Sequence, residues 1–198
     1  LIPEIASPKN IQLSCLQLGF YLASWGMLRG SSFLLEKSLK VYEPLIQNIS
    51  QFDPQIWEID ADRYNDENVE LLISCRNAII ASFGDDGKPS DTLVTKIMLG
   101  VFGNVPAFDD FFRKGLAIHS FGRKSLGLIA EFYEKNKQII DSIEIPTLNY
   151  ATGASTHRLY SKAKIIDMIC FIEGSQKRNT ATLSSAQFDS RLNSLGDL

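Results

Sequence analysis

A lysine and an aspartate near the middle of the chain are the residues best suited to chemistry. Lys96 lies in the apolar run Leu93–Leu99, and Asp109 follows Val105-Pro106-Ala107-Phe108 at the expected start of a helix. A lysine amine that is withdrawn from water has a lowered pKa and can act as a nucleophile. The alternatives are that Lys96 extends its ammonium to the surface and that Asp109 merely caps the helix. The sequence leaves both interpretations open.

A second candidate site lies where two predicted helices meet, in the segment from Trp25 to Ser32. It pairs the bulky Trp25 with Arg29, and the amides of Ser31 and Ser32 follow directly. Arg29 and these amides could bind an anion at the start of the next helix. In the alternative interpretation, Arg29 complements the dipole at the end of the first helix and forms a buried salt bridge.

A third candidate is a basic, aromatic-bearing stretch that contains Arg158 and Lys162. We expect it on a helix that spans Ser155–Phe171, where its cations could contact phosphates. A solvated helix face would carry the same residues. The two histidines, His119 and His157, have no metal-binding partner three or four positions away, so we expect neither a metal nor a cofactor.

Helices must position these residues, because apolar side chains recur at helical spacing and no segment alternates with a period of two. The pattern predicts an all-α fold, with about seven or eight helices in an irregular, orthogonal bundle over residues 1–175. Residues 176–198 are polar and are expected to form a C-terminal tail. Among the predicted helices, Phe33–Ile49 should kink or restart at Pro44, because a proline cannot donate the hydrogen bond of a helix interior.

Composition sets the broad class of the protein. The chain has 198 residues, 44% of them hydrophobic, and its net charge of −3 argues against a strongly basic nucleic-acid binder. The three cysteines lack the spacing of a disulfide framework, so a reducing, cytoplasmic compartment is expected. The apolar segment Ile11–Leu28 is interrupted by polar residues and is predicted to be neither a signal peptide nor a membrane span.

The segment 93–113 resembles part of the helix-hairpin-helix DNA glycosylase superfamily. The order of Thr95-Lys96 and Val105-Pro106-Ala107-Phe108-Asp109 is similar to the lysine and the proline-delivered aspartate of that family. The loop Gly84–Pro89 lies near the position of the family's Gly-x-Gly hairpin without matching it. The resemblance implies that Lys96 attacks a sugar C1′ as an amine, that Asp109 stabilises positive charge there, and that the target base is flipped out of DNA.

Three functional hypotheses follow from these patterns. The first is a protein that acts on nucleic acid through a glycosylase- or lyase-like site at Lys96 and Asp109, with DNA as its partner. The second is a non-catalytic helical interaction module or homo-oligomer, suggested by the aromatic residues Phe108, Phe111, Phe112, Phe132 and Tyr133. The third is a binder of a small anionic ligand that uses Arg29.

Overall fold

The computed structural model describes the backbone of residues 2–193 and the side chains of residues 4–85 and 87–177. Seven α-helices lie within this described part, which confirms the predicted all-α domain. They are α1 (Ile11–Ser24), α2 (Glu43–Ile49), α3 (Asp66–Ala81), α4 (Asp91–Val101), α5 (Asp110–Leu116), α6 (Arg123–Ser142) and α7 (Lys162–Asn193). A small antiparallel hairpin of β1 (Pro146–Leu148) and β2 (Ser155–Leu159) connects α6 to α7.

Helix α4 lies at the centre of the domain, and every residue from Leu93 to Leu99 is buried. It begins at a Ser90 cap, whose hydroxyl oxygen accepts the backbone N–H of Leu93 at 3.2 Å. The helix packs against both α1 and α3. Because it has no broad solvent face over this stretch, the side chain of Lys96 is enclosed with the apolar residues around it.

Helices α5 and α7 cross with their backbones in direct contact, and two glycines permit this approach. A Cβ atom on Gly174 would overlap the carbonyl oxygen of Phe111, and one on Gly115 would overlap that of Cys170. Glycine is the residue that allows such an approach of two backbones, because it has no side chain. The crossing fixes α5, and with it the residues just before α5, against α7.

The predicted helix Ser155–Phe171 was wrong in its first part, which forms β2 and a short connection. The hydroxyls of Thr147 and Thr156 share a hydrogen bond of 2.6 Å across the hairpin. Helix α7 then begins at Lys162, where the carboxylate of Asp60 accepts the backbone N–H groups of Lys162 and Ala163, each at 2.8 Å. Local helical spacing could not reveal a strand pairing or a cap supplied by a distant residue.

Two other predicted segments differ from the structure in extent. Phe33–Ile49 is two 3-10 turns followed by α2, which confirms a restart at Pro44, in the first turn of α2. Helix α7 continues past residue 175 as far as Asn193. The last part of the expected tail, residues 194–198, lies outside the described residues, and the division between domain and tail stays a prediction.

Candidate functional site

One cleft brings the first two candidate sites together. It has a volume of about 870 Å³ and lies between the end of α1, helix α4, the start of α5 and one side of α7. Its lining includes all six of the residues that the sequence predicted in two separate segments: Trp25, Arg29, Ser31, Ser32, Lys96 and Asp109. The volume lies within the range of small-molecule sites. We call this feature the Lys96 cleft.

Lys96 is only 6% exposed, so it does not extend its ammonium into open water. Its Nζ donates a hydrogen bond to the carbonyl oxygen of Trp25 at 3.1 Å and lies 5.2 Å from the centre of the indole ring. Burial lowers the pKa of Lys96, and although Asp109 and Asp167 oppose the shift, the net direction is downward. Of the two interpretations of Lys96, the structure therefore contains the desolvated lysine and not the one that extends to the surface.

Asp109 is positioned by helix α4 through the residue before it. The backbone N–H of Phe108 donates to the Thr95 hydroxyl at 2.8 Å, and the Thr92 hydroxyl donates to the Phe108 carbonyl at 2.8 Å. One carboxylate oxygen of Asp109, Oδ1, then accepts the N–H groups of Phe111 at 3.0 Å and Phe112 at 2.9 Å. Asp109 thus caps α5, as the alternative interpretation expected, and it also faces the Lys96 cleft.

Lys96 and Asp109 share the cleft but form no direct ion pair within the described part of the chain. The carboxylate raises the pKa of the Lys96 amine by its charge alone, against the larger opposite effect of burial. Both groups line the same cleft.

Asp167 and Lys164 join this site, and the sequence analysis missed both roles. Asp167 is 4% exposed; its Oδ1 accepts the backbone N–H of Ala107 at 3.0 Å, and its Oδ2 pairs with Lys164 Nζ at 2.8 Å. The same Lys164 Nζ lies 4.5 Å from the centre of the Trp25 ring. Burial raises the pKa of Asp167, while Lys164 opposes that shift. Asp167 thereby links α7 to the segment that delivers Asp109 and to the tryptophan that holds Lys96.

The spacing of Lys164 and Asp167 on one helical turn was the only signal in the sequence for this link. Such a pair is common on solvated helix faces. Nothing in the local pattern connects Asp167 with Ala107, which lies 60 positions earlier.

Arg29 differs from the buried, salt-bridged residue that one interpretation expected. It is exposed and has no ion-pair partner among the described residues. Its guanidinium lies over Gly26, where a Cβ atom would come within 3.0 Å of the Arg29 Cζ. Gly26 and Gly30 have φ angles of 69° and 62°, the left-handed region that glycine favours, so they turn the chain around Arg29.

The helix expected after Ser31 and Ser32 is a four-residue 3-10 turn, Phe33–Glu36. The Ser32 hydroxyl oxygen accepts the backbone N–H of Leu34 at 3.4 Å and is partly engaged within the chain. A turn this short lacks the aligned peptide dipoles of a long helix, so the predicted helix-terminus anion site was wrong in this respect. Both serines nevertheless line the cleft beside Arg29.

The third candidate site is not part of the cleft. Arg158 lies on strand β2 and is exposed, so the helix predicted for this part of the stretch was wrong, while its contact with phosphates stays a prediction. Lys162 Nζ pairs with Asp62 at 2.6 Å and with Asp141 at 3.3 Å, and it lies 5.2 Å from the Tyr133 ring centre. We call Lys162, Asp60, Asp62, Tyr133 and Asp141 the Lys162 cluster.

The fold and the site together define a helical protein with a mixed aromatic and charged cleft around a buried lysine. No family model, curated protein or solved structure matches this chain. Among the residues that the structure describes, no three histidine, cysteine, aspartate or glutamate side chains are grouped to hold a metal ion. No helix in the same part of the chain is long and apolar enough to cross a bilayer.

Proposed function

We propose that this protein binds a small ligand with an anionic group in the Lys96 cleft. The observation that carries the proposal is that the cations of the cleft have no carboxylate partners. Arg29, Lys96 and Lys114 line the cleft, and none of them pairs with a carboxylate within the described residues. Unpaired cations in a partly enclosed cleft favour an anion.

The two carboxylates in the same lining are already engaged within the chain. Asp110 pairs with Arg113 at 2.7 Å, and Asp109 accepts the first N–H groups of α5. Neither of them forms a direct ion pair with the three cations within the described residues, although the charge of Asp109 acts on Lys96. An incoming anion would supply the missing partner, with Arg29 free to move toward it because its side chain is exposed.

Thermal unfolding with inorganic phosphate, pyrophosphate and citrate tests the binding proposal. A ligand that binds only the folded chain raises the unfolding temperature, and the stabilisation grows with the logarithm of its concentration relative to Kd. We expect Arg29→Ala to weaken binding by about tenfold or more, because a charge-assisted contact is lost. Arg158→Ala is the matched control, since Arg158 is exposed and lies outside the cleft. The absence of stabilisation by every anion would contradict the proposal.

A second candidate function is amine chemistry at Lys96, as in the glycosylase/lyase hypothesis. It is favoured by the lowered pKa of Lys96 and by Asp109 in the same cleft. The neutral amine would add to the C1′ aldehyde of a ring-opened abasic sugar and expel water to form an imine. Asp109 would stabilise the positive charge of the protonated imine.

Borohydride trapping tests this chemistry, because hydride reduces an imine to a stable secondary amine that links protein to DNA. We expect an adduct with wild type and with Lys124→Ala, an exposed lysine outside the cleft, but none with Lys96→Ala. If wild type forms no adduct, Lys96 serves binding alone and the amine mechanism is excluded.

The size of the cationic surface favours a small ligand over duplex DNA. A duplex-binding protein usually contacts many phosphates, and its affinity then falls steeply with salt. The cleft offers three cations beside two carboxylates. We therefore expect the affinity for duplex DNA to be weak, and a steep salt dependence would favour the nucleic-acid hypothesis instead.

The burial of most of the aromatic side chains concerned weakens the interaction-module hypothesis. Phe108 and Phe112 are fully buried, and Tyr133 is 1% exposed, so these rings serve the core of the domain rather than a partner. Phe111 contacts Phe171 at the cleft, with 4.9 Å between ring centres. Homo-oligomerisation stays a prediction that sedimentation at several protein concentrations would test.

A further inference from the structure

We propose that the ligand of the Lys96 cleft is a nucleoside phosphate, bound with its base against the aromatic pair Phe111–Phe171. This inference rests on the proposed binding function and adds the chemical class of the ligand. It is carried by three kinds of group that line one cleft: the exposed ring of Phe171 beside the half-buried Phe111, an open carboxylate oxygen and unpaired cations.

The aromatic part of the cleft comes from α5 and α7. Phe171 is 39% exposed although it belongs to a helix that packs on the domain, and its ring meets Phe111 edge to face at an angle of 69°. In this edge-to-face pair the ring of Phe171 stays partly open to the cleft. An exposed ring at the rim of a cleft is a suitable platform for a planar base, because base–aromatic stacking is favourable for every base.

The position of this pair is set by the backbone rather than by the rings themselves. Gly115 and Gly174 allow α5 and α7 to touch, and Phe111 and Phe171 project from the same crossing. Any side chain at either glycine would separate the helices. The rings are therefore held in place before a ligand arrives, which lowers the entropy cost of binding.

The second kind of group is the Oδ2 atom of Asp109. Helix capping uses only Oδ1, and within the described residues Oδ2 accepts no hydrogen bond. A carboxylate oxygen in this state accepts a hydroxyl or an amino group. The ribose hydroxyls and the exocyclic amines of bases are donors of this kind.

The third kind is the cationic part, Arg29, Lys96 and Lys114, which suits a phosphate for the reasons given above. A sugar phosphate would use the carboxylate and the cations without the rings, and an inorganic anion would use the cations alone. Of these three classes of ligand, the nucleoside phosphate is the one that engages all three kinds of group. Its source could be a free mononucleotide or the end of a single strand, which share this chemistry.

Calorimetric titration of the full chain with AMP, GMP, CMP and UMP tests the inference against ribose 5-phosphate and pyrophosphate. We expect at least one mononucleotide to bind about tenfold more tightly than ribose 5-phosphate, because only the nucleotide stacks. Phe171→Ala should remove that advantage and leave the affinity for ribose 5-phosphate unchanged. Phe171→Leu, which keeps an apolar side chain in the helix, should have the same effect without loosening the fold.

Phe20→Ala is the control, because Phe20 is 73% exposed on α1 and does not line the cleft. It should leave every affinity unchanged. A thymidine tetranucleotide compared with its mononucleotide distinguishes the two sources: tighter binding of the tetranucleotide would identify a strand as the ligand, and equal binding a free nucleotide.

Equal affinities for ribose 5-phosphate and all four nucleotides would overturn the inference. In that case binding of pyrophosphate, weakened by Arg29→Ala, would show that the proposed function survives without its aromatic part. If no phosphate compound binds at all, the proposed function itself fails.

Discussion

Two lysines of this protein, Lys96 and Lys162, lie beside an aromatic ring and within reach of aspartates, yet their surroundings differ in kind. Lys162 pairs directly with Asp62 and Asp141, and these partners raise its pKa above the ordinary value although burial works against them. Lys96 has a carbonyl oxygen as its hydrogen-bond partner, and burial lowers its pKa.

The difference indicates which of the two regions stabilises the fold and which is available to a ligand. In the Lys162 cluster, one lysine pairs with two carboxylates at the start of α7, and a third carboxylate, Asp60, caps the helix there. In the Lys96 cleft the three cations have no ion-pair partner within the described residues, in a space large enough for a small molecule. Desolvated charge that the fold does not compensate is typical of functional sites.

Gly174→Ala should have the largest effect, and it should damage the Lys96 cleft more than the Lys162 cluster. The new methyl group would overlap the carbonyl oxygen of Phe111, so α5 must move away from α7. We expect the free energy of unfolding to fall by about 3 kcal/mol or more. The clash is with backbone atoms, which cannot move aside as a flexible side chain can. Urea denaturation measures the change.

Gly127→Ala provides the matched control for this prediction. Gly127 is also a helical glycine, in α6, but a Cβ atom there has nothing within 4 Å. Alanine should therefore stabilise the protein by about 0.5–1 kcal/mol through helix propensity. If Gly174→Ala and Gly127→Ala lower the free energy of unfolding by the same amount, the α5–α7 crossing is not as tight as the contact with Phe111 implies.

Substitution of each lysine by methionine compares the two regions directly. Lys162→Met leaves Asp141 without a cation and Asp62 with only the distant Arg63, at 4.0 Å, so we expect a loss of about 1–2 kcal/mol in unfolding free energy. Lys96→Met removes a buried charge and leaves only the Trp25 carbonyl oxygen without its donor, so the change should stay within about 1 kcal/mol of zero. Urea denaturation of the two variants measures both changes.

Ligand affinity should show the reverse order. Lys96→Met should weaken anion binding by about tenfold, while Lys162→Met should leave it unchanged. If Lys96→Met lowers the stability more than Lys162→Met does, the Lys162 cluster is not the region that stabilises the fold, and the comparison fails.

Asp167→Asn should have a smaller effect on stability and a specific effect on Lys96. The amide oxygen can still accept the N–H of Ala107, but the ion pair with Lys164 is lost. We expect the free energy of unfolding to fall by about 1 kcal/mol. Because the Asp167 carboxylate raises the pKa of Lys96, its removal should lower that pKa further. An NMR titration of the lysine side-chain resonances, assigned through Lys96→Met, measures the shift.

Asp62→Asn is the control for Asp167→Asn, since Asp62 belongs to the Lys162 cluster. It should leave the Lys96 titration unchanged. If Asp167→Asn also leaves it unchanged, Asp167 is a packing residue and does not act on the cleft.

Local spacing predicted the parts of this protein that depend on nearby residues. The burial of Lys96 follows from the apolar run around it, and the cap at Asp109 follows from the residues that open α5. The meeting of Trp25, Arg29 and Lys96 in one cleft depends on how α1 packs against α4, which no local pattern encodes.

The failures have the same cause. The segment Ser155–Phe171 has helical spacing throughout, but pairing with β1 and the cap from Asp60 decide where the helix begins. The contact between Asp167 and Ala107 gave no signal, because Ala107 offers only a backbone N–H, and every residue type except proline has one.

The smallest expected effect is a difference in how the two lysines respond to pH. Lys96 has a lowered pKa in the folded protein, so between that pKa and the ordinary value of 10.5 the unfolded chain holds more protons. By linkage, the free energy of unfolding contributed by Lys96 must rise with pH over this interval. Lys162 has a raised pKa, so its contribution is complete below 10.5 and is lost only as the pH rises above that value.

Urea denaturation from neutral pH to 10.5 therefore distinguishes the two residues. The stability of wild type minus that of Lys96→Met should increase with pH, while the difference between wild type and Lys162→Met should stay constant. Subtraction cancels the titration of tyrosines and of all other groups that the variants share. A constant difference for Lys96→Met would mean that water reaches this ammonium as freely in the folded chain as in the unfolded one, and the cleft would then lack the desolvated amine on which the imine chemistry depends.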